Sequence, residues 1–322
     1  MANNAEMIAD RRRLRRKLSF WRVFAFVALI AVVAVTGWRV LGPDASTRSA
    51  HVARVEIGGV IMSDRATTQM LKRIGESTAV RGVVVAINSP GGTVTGSEQL
   101  HRALRDLSEK KPVVAFVEGT GASGAYIAAI AADHIVARET AIIGSIGTMF
   151  QVPNFNELMQ SVGVSVIEVK SSPLKAAPSA TGPVDPAGVD ALQVVVDDTY
   201  AWFRDLVGAR RSLSGAALAE VADGRVHSGK RAVSLGLVDE LGGEEAAIGW
   251  LERERGTPAD LPVRRWRPER ERSALGLLDI AAGLADAVGL SKPAALLRML
   301  DAQTARPMLD GLLALWQPVL EN

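Results

Sequence analysis

Strand-length apolar runs alternate with amphipathic segments in the part of the chain that follows residue 50. Residues 83–87 and 113–117 are wholly apolar, and residues 52–57 form a further strand-like run. The intervening segments 68–76 and 97–107 carry apolar side chains at helical spacing. Strands that are apolar on both faces, each followed by a helix, are typical of a parallel sheet covered on its two sides. The pattern therefore predicts an α/β fold with a mostly parallel sheet and flanking helices.

The second half of the chain is more helical. Asp185 followed by Pro186 is a favourable helix start, because an N-cap residue precedes proline at the first helical position. We predict a helix from there to about Arg211 and another over residues 216–222. Residues 266–322 predict a C-terminal helical extension, most simply packed on the core but also suited to a partner or a membrane surface. The 322-residue chain contains no internal repeat.

The N-terminus combines a basic block with a long apolar run. Residues 11–17 contain six Arg or Lys residues, whereas the net charge of the whole chain is only +2. Residues 23–38 are apolar except for Thr36, and Trp21 and Trp38 lie at the two ends of the run. A helix over residues 20–41 would be about 33 Å long, which is enough to cross a bilayer. We therefore predict one transmembrane helix, and the apolar run argues against a nucleic-acid-binding arm.

A cleaved signal peptide is the alternative to a retained anchor. Residues 42–44 offer no small-x-small cleavage site, and the apolar run is longer than a usual signal core. The basic tail, residues 1–19, would then stay in the cytoplasm, and the rest of the chain would lie across the membrane. We predict a linker over residues 42–50 and a catalytic domain over residues 51–265. The absence of cysteine indicates a fold without disulfides.

Two segments at predicted strand ends carry candidate chemistry. Gly91 and Gly92 follow the run 83–87, and glycines there can turn backbone N–H groups toward an oxyanion or a phosphate, although an ordinary tight turn explains them too. Ser123 lies among small residues after the run 113–117, which would expose its hydroxyl at the edge of the sheet. The alternative is that Ser123 only caps a helix extending to Ala132. Ala125 excludes the G-x-S-x-G elbow of the α/β hydrolases.

A serine nucleophile needs a base, and histidine is the usual one. None of the four histidines has a triad-like setting: His51, His101, His134 and His227. A lysine can act as the base where burial lowers its pKa from about 10.4 by roughly 3 units, or about 4 kcal/mol. Lys175 has apolar neighbours in sequence, although a solvated loop lysine is the simpler interpretation. Lys170, which follows a predicted strand at 164–169, is the second candidate for the base, because Glu168 would favour its charged form.

Six segments in this order resemble the signal peptide peptidase A family of bacterial serine–lysine peptidases. The resemblance extends from about residue 52 to residue 245. Each segment alone is weak, but their order is specific. They are residues 87–92, 122–126, 140–147, 170–175, 224–227 and 236–243.

The resemblance implies a role for five residues. Ser123 would be the nucleophile, Lys175 the general base, and Ser145 the residue that orients the lysine. The backbone N–H groups of Gly91 and Gly124 would form the oxyanion hole. The fold implied is that of the Clp protease and the crotonases, and neither a cofactor nor a metal is implied. Two small departures are Ala125, where the family has glycine, and Thr93, where serine is common.

Because the chain lacks a repeat, it resembles the half-length form of the family. That form implies a homo-oligomer, a ring of eight subunits, in which serine and lysine meet across a subunit boundary. The substrate implied is a remnant signal peptide in the cytoplasmic (inner) membrane, which would be cut on the periplasmic side. Broad activity on unfolded protein chains would agree with the sequence equally well. A scaffold of the same fold without activity and an acyl-CoA enzyme of the crotonase type are the competing hypotheses.

Overall fold

The computed structural model describes residues 21–27, 29–30, 49–269 and 312–315. The chain divides into two units, residues 1–50 and 51–322. In the first unit, residues 21–27 and 29–30 are helical and exposed. Within the described ranges, no helix has both the length and the apolarity that a membrane crossing requires. Most of the predicted anchor, residues 20–41, lies outside the described residues.

In the second unit, the described residues form one sheet of ten strands. The strands are β1 His51–Ile61, β2 Val80–Thr93, β3 Val113–Ala122, β4 His134–Ala137, β5 Ile142–Gly144, β6 Met149–Phe150, β7 Val226–Ser228, β8 Glu240–Leu241, β9 Val263–Trp266 and β10 Leu312–Leu315. Eight helices accompany them within residues 49–269. These are α1 Arg65–Glu76, α2 Val94–Ser108, α3 Gly124–Ala129, α4 Asn156–Ser161, α5 Pro186–Arg211, α6 Gly215–Val221, α7 Gly229–Ser234 and α8 Glu244–Arg255.

The centre of the sheet is parallel. Strand β2 pairs in parallel with β1 and β3, and β3 pairs in parallel with β4 and β5. Strands β9 and β8 extend the parallel part beside β1 and β4. Among the described strands, only β7 and β10 run antiparallel to the rest, β7 on β5 and β10 between β2 and β6. The mixed α/β fold with a mostly parallel sheet is therefore confirmed.

Helices cover both faces of the central strands. On β2, the side chains of Val83, Val85 and Ile87 enter one core cluster, which includes Leu100 of α2. The alternate residues Val84 and Ala86 enter a second cluster. That second cluster is closed by Ala247, Trp250 and Leu251 of α8. Successive side chains of a strand point to opposite faces, so burial on both faces requires the wholly apolar run found in the sequence.

Helix α5 begins where the sequence predicts it. Asp185 is the N-cap and its carboxylate accepts the Ala187 N–H, and Pro186 occupies the first turn. The helix ends at Arg211 with the next residue in the left-handed conformation. Helix α3 is shorter than predicted, because it ends at Ala129 rather than at Ala132.

The predicted strand over residues 164–169 is wrong. The described structure assigns no regular element there, and the side chains of Ile167 and Val169 are 89% and 97% exposed. A strand needs a hydrogen-bonded neighbour as well as a β-branched sequence, and the part of the chain that the structure describes supplies none at that position. The four residues of β10 also differ from expectation, because they are a strand where the sequence predicts a helical extension. The rest of that extension from residue 270 lies outside the described residues.

Candidate active site

The glycine segment after residue 87 continues strand β2 instead of forming an isolated turn. Gly91 and Gly92 pair with Val60 and Ile61 of β1. Gly91 has φ of 105°, a conformation that favours glycine. At Gly92, a Cβ atom would lie 1.8 Å from the Ile61 carbonyl oxygen, so no other residue fits without moving the backbone. The two glycines therefore allow the strand ends to approach closely.

Ser89 and Asn88 hold this segment in place. The Ser89 hydroxyl is buried, donates to the Gly59 carbonyl at 2.6 Å and accepts the Gly91 N–H at 3.1 Å. The Asn88 side-chain oxygen accepts the Thr120 N–H at 3.1 Å, which ties β2 to β3. Sequence reasoning missed both roles. The signal was present as two polar residues that directly follow a buried strand.

Replacing Gly92 tests this close approach. We expect Gly92→Ala to destabilise the fold by more than about 3 kcal/mol, because the new Cβ meets backbone atoms that cannot rotate away. Gly58→Ala is the matched control, since a Cβ there meets its nearest atom, the Asn88 carbonyl oxygen, at an ordinary 3.7 Å. Thermal unfolding of the two variants measures the difference. Equal melting temperatures would contradict the proposed packing.

Ser123 occupies a strained turn between β3 and α3. Its backbone has φ of 54° and ψ of −121°, and the residue is 1% exposed. Such a conformation costs a non-glycine residue about 1–3 kcal/mol. Ser123 is the N-cap position of α3, but its hydroxyl forms no capping hydrogen bond. The capping alternative therefore does not explain this serine, whereas a nucleophile on a tight turn needs such an uncommitted hydroxyl.

Polar side chains fix the far end of helix α3. Arg210 donates to the carbonyls of Ile130 and Ala132, at 2.7 and 2.9 Å, and Arg105 donates to that of Ala131 at 2.8 Å. Cations at a helix C-terminus complement the helix dipole, so these contacts stabilise the short helix. They restrain the end of α3 that is farther from Ser123.

Tyr126 connects α3 to the turn that precedes β8. Its hydroxyl donates to the Leu237 carbonyl at 2.8 Å, and burial raises the pKa of Tyr126, which keeps the phenol a neutral donor. Asp239 accepts the Ile135 N–H at 2.8 Å and forms an ion pair with Arg211 at 2.7 Å. The sequence segments 122–126 and 236–243 are thus in direct contact, and the second has a structural role.

Strand β5 brings Ser145 close to the Ser123 turn. The Ser123 N–H donates to the Gly144 carbonyl at 2.7 Å. Ser145 has φ of 52°, and its N–H donates to the Arg225 carbonyl at 2.8 Å. His227 of β7 packs beside Gly144, and burial lowers the pKa of this imidazole. The carboxyl ends of β2, β3 and β5 therefore gather Gly91, Ser123, Gly124 and Ser145 at one edge of the sheet.

The two candidate lysines have different surroundings. Lys170 forms an ion pair with Glu168. Lys175 is exposed in a turn over residues 173–176, and within the described part of the chain its amine forms no ion pair. No hydrogen bond joins it there to Ser123 or Ser145. A lysine that acts as a base needs to be buried away from water, and a single chain does not bury Lys175.

Residues 105–257 match the sequence profile of Peptidase family S49. This range includes Ser123, Ser145 and Lys175. A protease-named relative from Synechocystis is 39% identical over 217 residues, which cover 67% of this chain and 78% of the relative. The chain belongs to family S49, the signal peptide peptidase A family. The family resemblance of the sequence is confirmed.

Other relatives match over part of their length. A protease-named relative from Methanocaldococcus jannaschii is 39% identical over 57% of this chain and 59% of its own length. A relative from Enterococcus faecium, named as the signal peptide peptidase SppA, is 33% identical over 58% and 54%. The chain thus spans between about half and four fifths of these three relatives.

Two solved structures match at low scores. One is a mutant of 1510-N, a membrane-bound stomatin-specific protease, with 14% identity, a TM-score of 0.42, and coverage of 69% of this chain and 99% of its own. The other is a ClpP1 mutant from Listeria monocytogenes, with 17% identity, a TM-score of 0.41, and coverage of 63% and 95%.

Proposed function

We propose that the protein is a membrane-anchored serine endopeptidase in which Ser123 is the nucleophile and Lys175 the general base. The conformation of Ser123 is the observation that carries the proposal. A buried serine at positive φ, without a capping bond, stores strain that helix formation does not require. Family S49 membership and the gathering of Gly91, Gly124 and Ser145 beside it support the same function.

In the proposed reaction, the uncharged Lys175 amine takes the proton from the Ser123 hydroxyl as its oxygen attacks the peptide carbonyl. The amine then gives this proton to the leaving nitrogen, and a water molecule releases the acyl group in a second step. Ser145 would orient the amine. The N–H groups of Gly124 and Gly91 would bind the oxyanion, each contributing about 3–4 kcal/mol. Gly91 would have to exchange its bond to Ser89 for one to the substrate.

We propose that Lys175 completes the site of a neighbouring subunit, in a ring of eight. Exposed apolar side chains surround the lysine segment, and a neighbouring subunit would bury them and remove water from the amine. In the described residues, this face extends from α4 through residues 162–174 to the first half of α5. Its large apolar members include Leu158, Val162, Val166, Ile167, Val169, Leu174, Val189 and Val194.

The substrates we propose are remnant signal peptides, cut on the periplasmic side of the inner membrane. The apolar run at residues 23–38 and the basic block before it support an anchor with a cytoplasmic N-terminus. An anchored enzyme meets membrane-bound apolar peptides at a raised effective concentration. We also propose that the sheet belongs to the Clp protease and crotonase fold.

Labelling in intact spheroplasts tests the nucleophile and its location together. We expect a membrane-impermeant fluorophosphonate to label the protein in the membrane fraction and to leave the Ser123→Ala variant unlabelled. Protein that is labelled only after the membrane is permeabilised would place the site on the cytoplasmic side. Absence of labelling in permeabilised cells, with the protein present at normal level, would count against the peptidase.

A further inference from the structure

Lys175 lies in a loop whose two ends are joined by side chains. The Ser179 hydroxyl, which follows the lysine, donates to Oε1 of Glu168 at 2.7 Å, although these two residues are eleven positions apart in the sequence. The Thr181 hydroxyl donates to the same carboxylate oxygen at 3.5 Å. Residues 168–181 therefore form a closed loop, which we call the lysine loop.

The backbone of the lysine loop is ordered between these ends. The Lys175 N–H donates to the Ser172 carbonyl at 3.1 Å. The Ala177 N–H donates to the Leu174 carbonyl at 3.2 Å. Ala177 also packs on α5, because a Cβ atom added to Gly188 would lie only 2.7 Å from the Ala177 Cβ. Two successive turns thus carry the lysine, so that a fixed base of the loop also limits where the amine can reach.

The C-terminal end of the lysine loop is attached to the rest of the domain. The side-chain amide of Asn154 donates to the carbonyls of Ser179 and Gly182, at 3.0 and 2.9 Å. Asn154 follows β6 closely in the sequence, so this end of the loop is tied to the sheet region. Glu168, at the other end, is connected to the same attachment point through the Ser179 hydroxyl.

The ion pair with Lys170 offers a simpler role for Glu168, as one member of a surface charge pair. Lys170, however, contacts Oε2 of the carboxylate, whereas the Ser179 hydroxyl contacts Oε1. Hydrogen bonds from Lys170 and Ser179 lower the pKa of Glu168, so the carboxylate is ionised and an acceptor at neutral pH. A charge pair does not require the second contact, which spans the loop.

The position of the amine matters for a lysine that acts as a base. The amine must come within hydrogen-bond reach of the attacking hydroxyl, and a misplacement of about 1 Å can lower the rate about 100-fold. Burial by a neighbouring subunit would favour the uncharged form of Lys175, but it would not by itself select one conformation of the loop. The contact between Glu168 and Ser179 supplies that order within the chain.

We propose that Glu168 is a positioning residue for the Lys175 base, because its carboxylate closes the lysine loop on the Ser179 hydroxyl and so holds the amine in one place. This inference rests on the function proposed for Ser123 and Lys175. Glu168 acts on the reaction only through the lysine. Its loss therefore lowers kcat and leaves KM unchanged.

Kinetics of three variants test the positioning role. Glu168→Ala removes the acceptor and should lower kcat for an apolar peptide by about 10- to 100-fold at unchanged KM. Glu168→Gln keeps a side-chain oxygen that accepts from Ser179, and its kcat should stay within about threefold of the parent. Asp205→Ala is the matched control, because Asp205 is an exposed carboxylate that pairs with Arg204 on α5. Equal kcat in Glu168→Ala and Asp205→Ala would overturn the proposal.

Removal of the partner hydroxyl gives an independent check. Ser179→Ala should lower kcat by a factor similar to that of Glu168→Ala. The double variant should lose little more than either single variant, because both substitutions break the same hydrogen bond. Losses that simply multiply in the double variant would show that the two residues act separately, and would overturn the proposal.

A spin label measures the order of the lysine loop without catalysis. The chain contains no cysteine, so Lys175→Cys in a Ser123→Ala background of the full chain gives one labelling site. The nitroxide should be more mobile after Glu168→Ala and unchanged after Glu168→Gln. Equal mobility in all three proteins would overturn the proposal, whatever the activity of the enzyme. Increased mobility, together with a fully active Lys175→Ala enzyme, would support closure of the loop and count against the proposed base instead.

Discussion

Ser123→Ala is expected to lower kcat for an apolar peptide by about 10⁴- to 10⁶-fold, as removal of a serine nucleophile does in comparable proteases. The reason is that the proposed reaction uses the Ser123 hydroxyl as the attacking group, whereas Ser145, the other serine at positive φ in the described site, would only orient the lysine amine. Alanine has nearly the same volume, so the sheet and α3 should remain intact. Hydrolysis of a fluorogenic peptide, with circular dichroism as the check on folding, measures the effect. Parental activity in a folded Ser123→Ala protein would overturn the assignment.

Two further variants separate catalysis from stability. Ser97→Ala is the matched control, because the Ser97 hydroxyl is buried and, among the described residues, has no hydrogen-bond partner. Its activity should stay within about twofold of the parent, as for a substitution away from the site. Ser123→Gly should be as inactive as Ser123→Ala yet more stable by about 1 kcal/mol, because glycine relieves the strain at φ of 54°. A destabilised Ser123→Gly would argue against stored strain.

The central architecture followed from local sequence patterns. Wholly apolar runs such as 83–87 mark strands whose alternate residues enter two cores, and this periodicity does not depend on distant partners. The start of α5 was also predicted from local signals, since Asp185 caps the helix and Pro186 fits its first turn. Family motifs then pointed to Ser123, and the structure added its unusual backbone conformation.

The features that sequence patterns missed depend on long-range partners. Strand β2 continues through Gly91 and Gly92 because Ile61, about thirty residues earlier, supplies the pairing edge. Ser89 acquired its role from the carbonyl of Gly59, to which it donates. The predicted strand at 164–169 is wrong for the opposite reason, because its β-branched residues have no pairing edge among the described residues.

The surroundings of Lys175 could not be predicted from the residues next to it in the sequence. Apolar residues beside it in sequence suggested burial, yet the lysine is exposed in the single chain. Burial is a property of everything packed around a group, including other subunits, so a lysine base at a subunit boundary is invisible to local composition. The exposed apolar face from α4 to the first half of α5 supports the proposed contact with a neighbouring subunit.

Lys175→Ala should therefore lower kcat by about 10²- to 10⁴-fold, the usual contribution of a general base. Lys170→Ala is the matched control, because Lys170 forms an ion pair with Glu168 and its removal should have little effect on activity. Peptide hydrolysis by the two purified variants measures the difference. A larger loss in Lys170→Ala than in Lys175→Ala would transfer the role to Lys170.

Mixing inactive subunits then decides whether the lysine acts on its own chain or on a neighbour. An equimolar mixture of Ser123→Ala and Lys175→Ala subunits, exchanged and reassembled, should regain about one quarter of parental activity, since one boundary in four then joins both intact residues. A Ser123→Ala, Lys175→Ala double variant mixed with Ser123→Ala should regain none. If the first mixture stays inactive although labelled subunits demonstrably co-assemble, serine and lysine must meet within one chain, and the 170–176 segment would have to move toward Ser123.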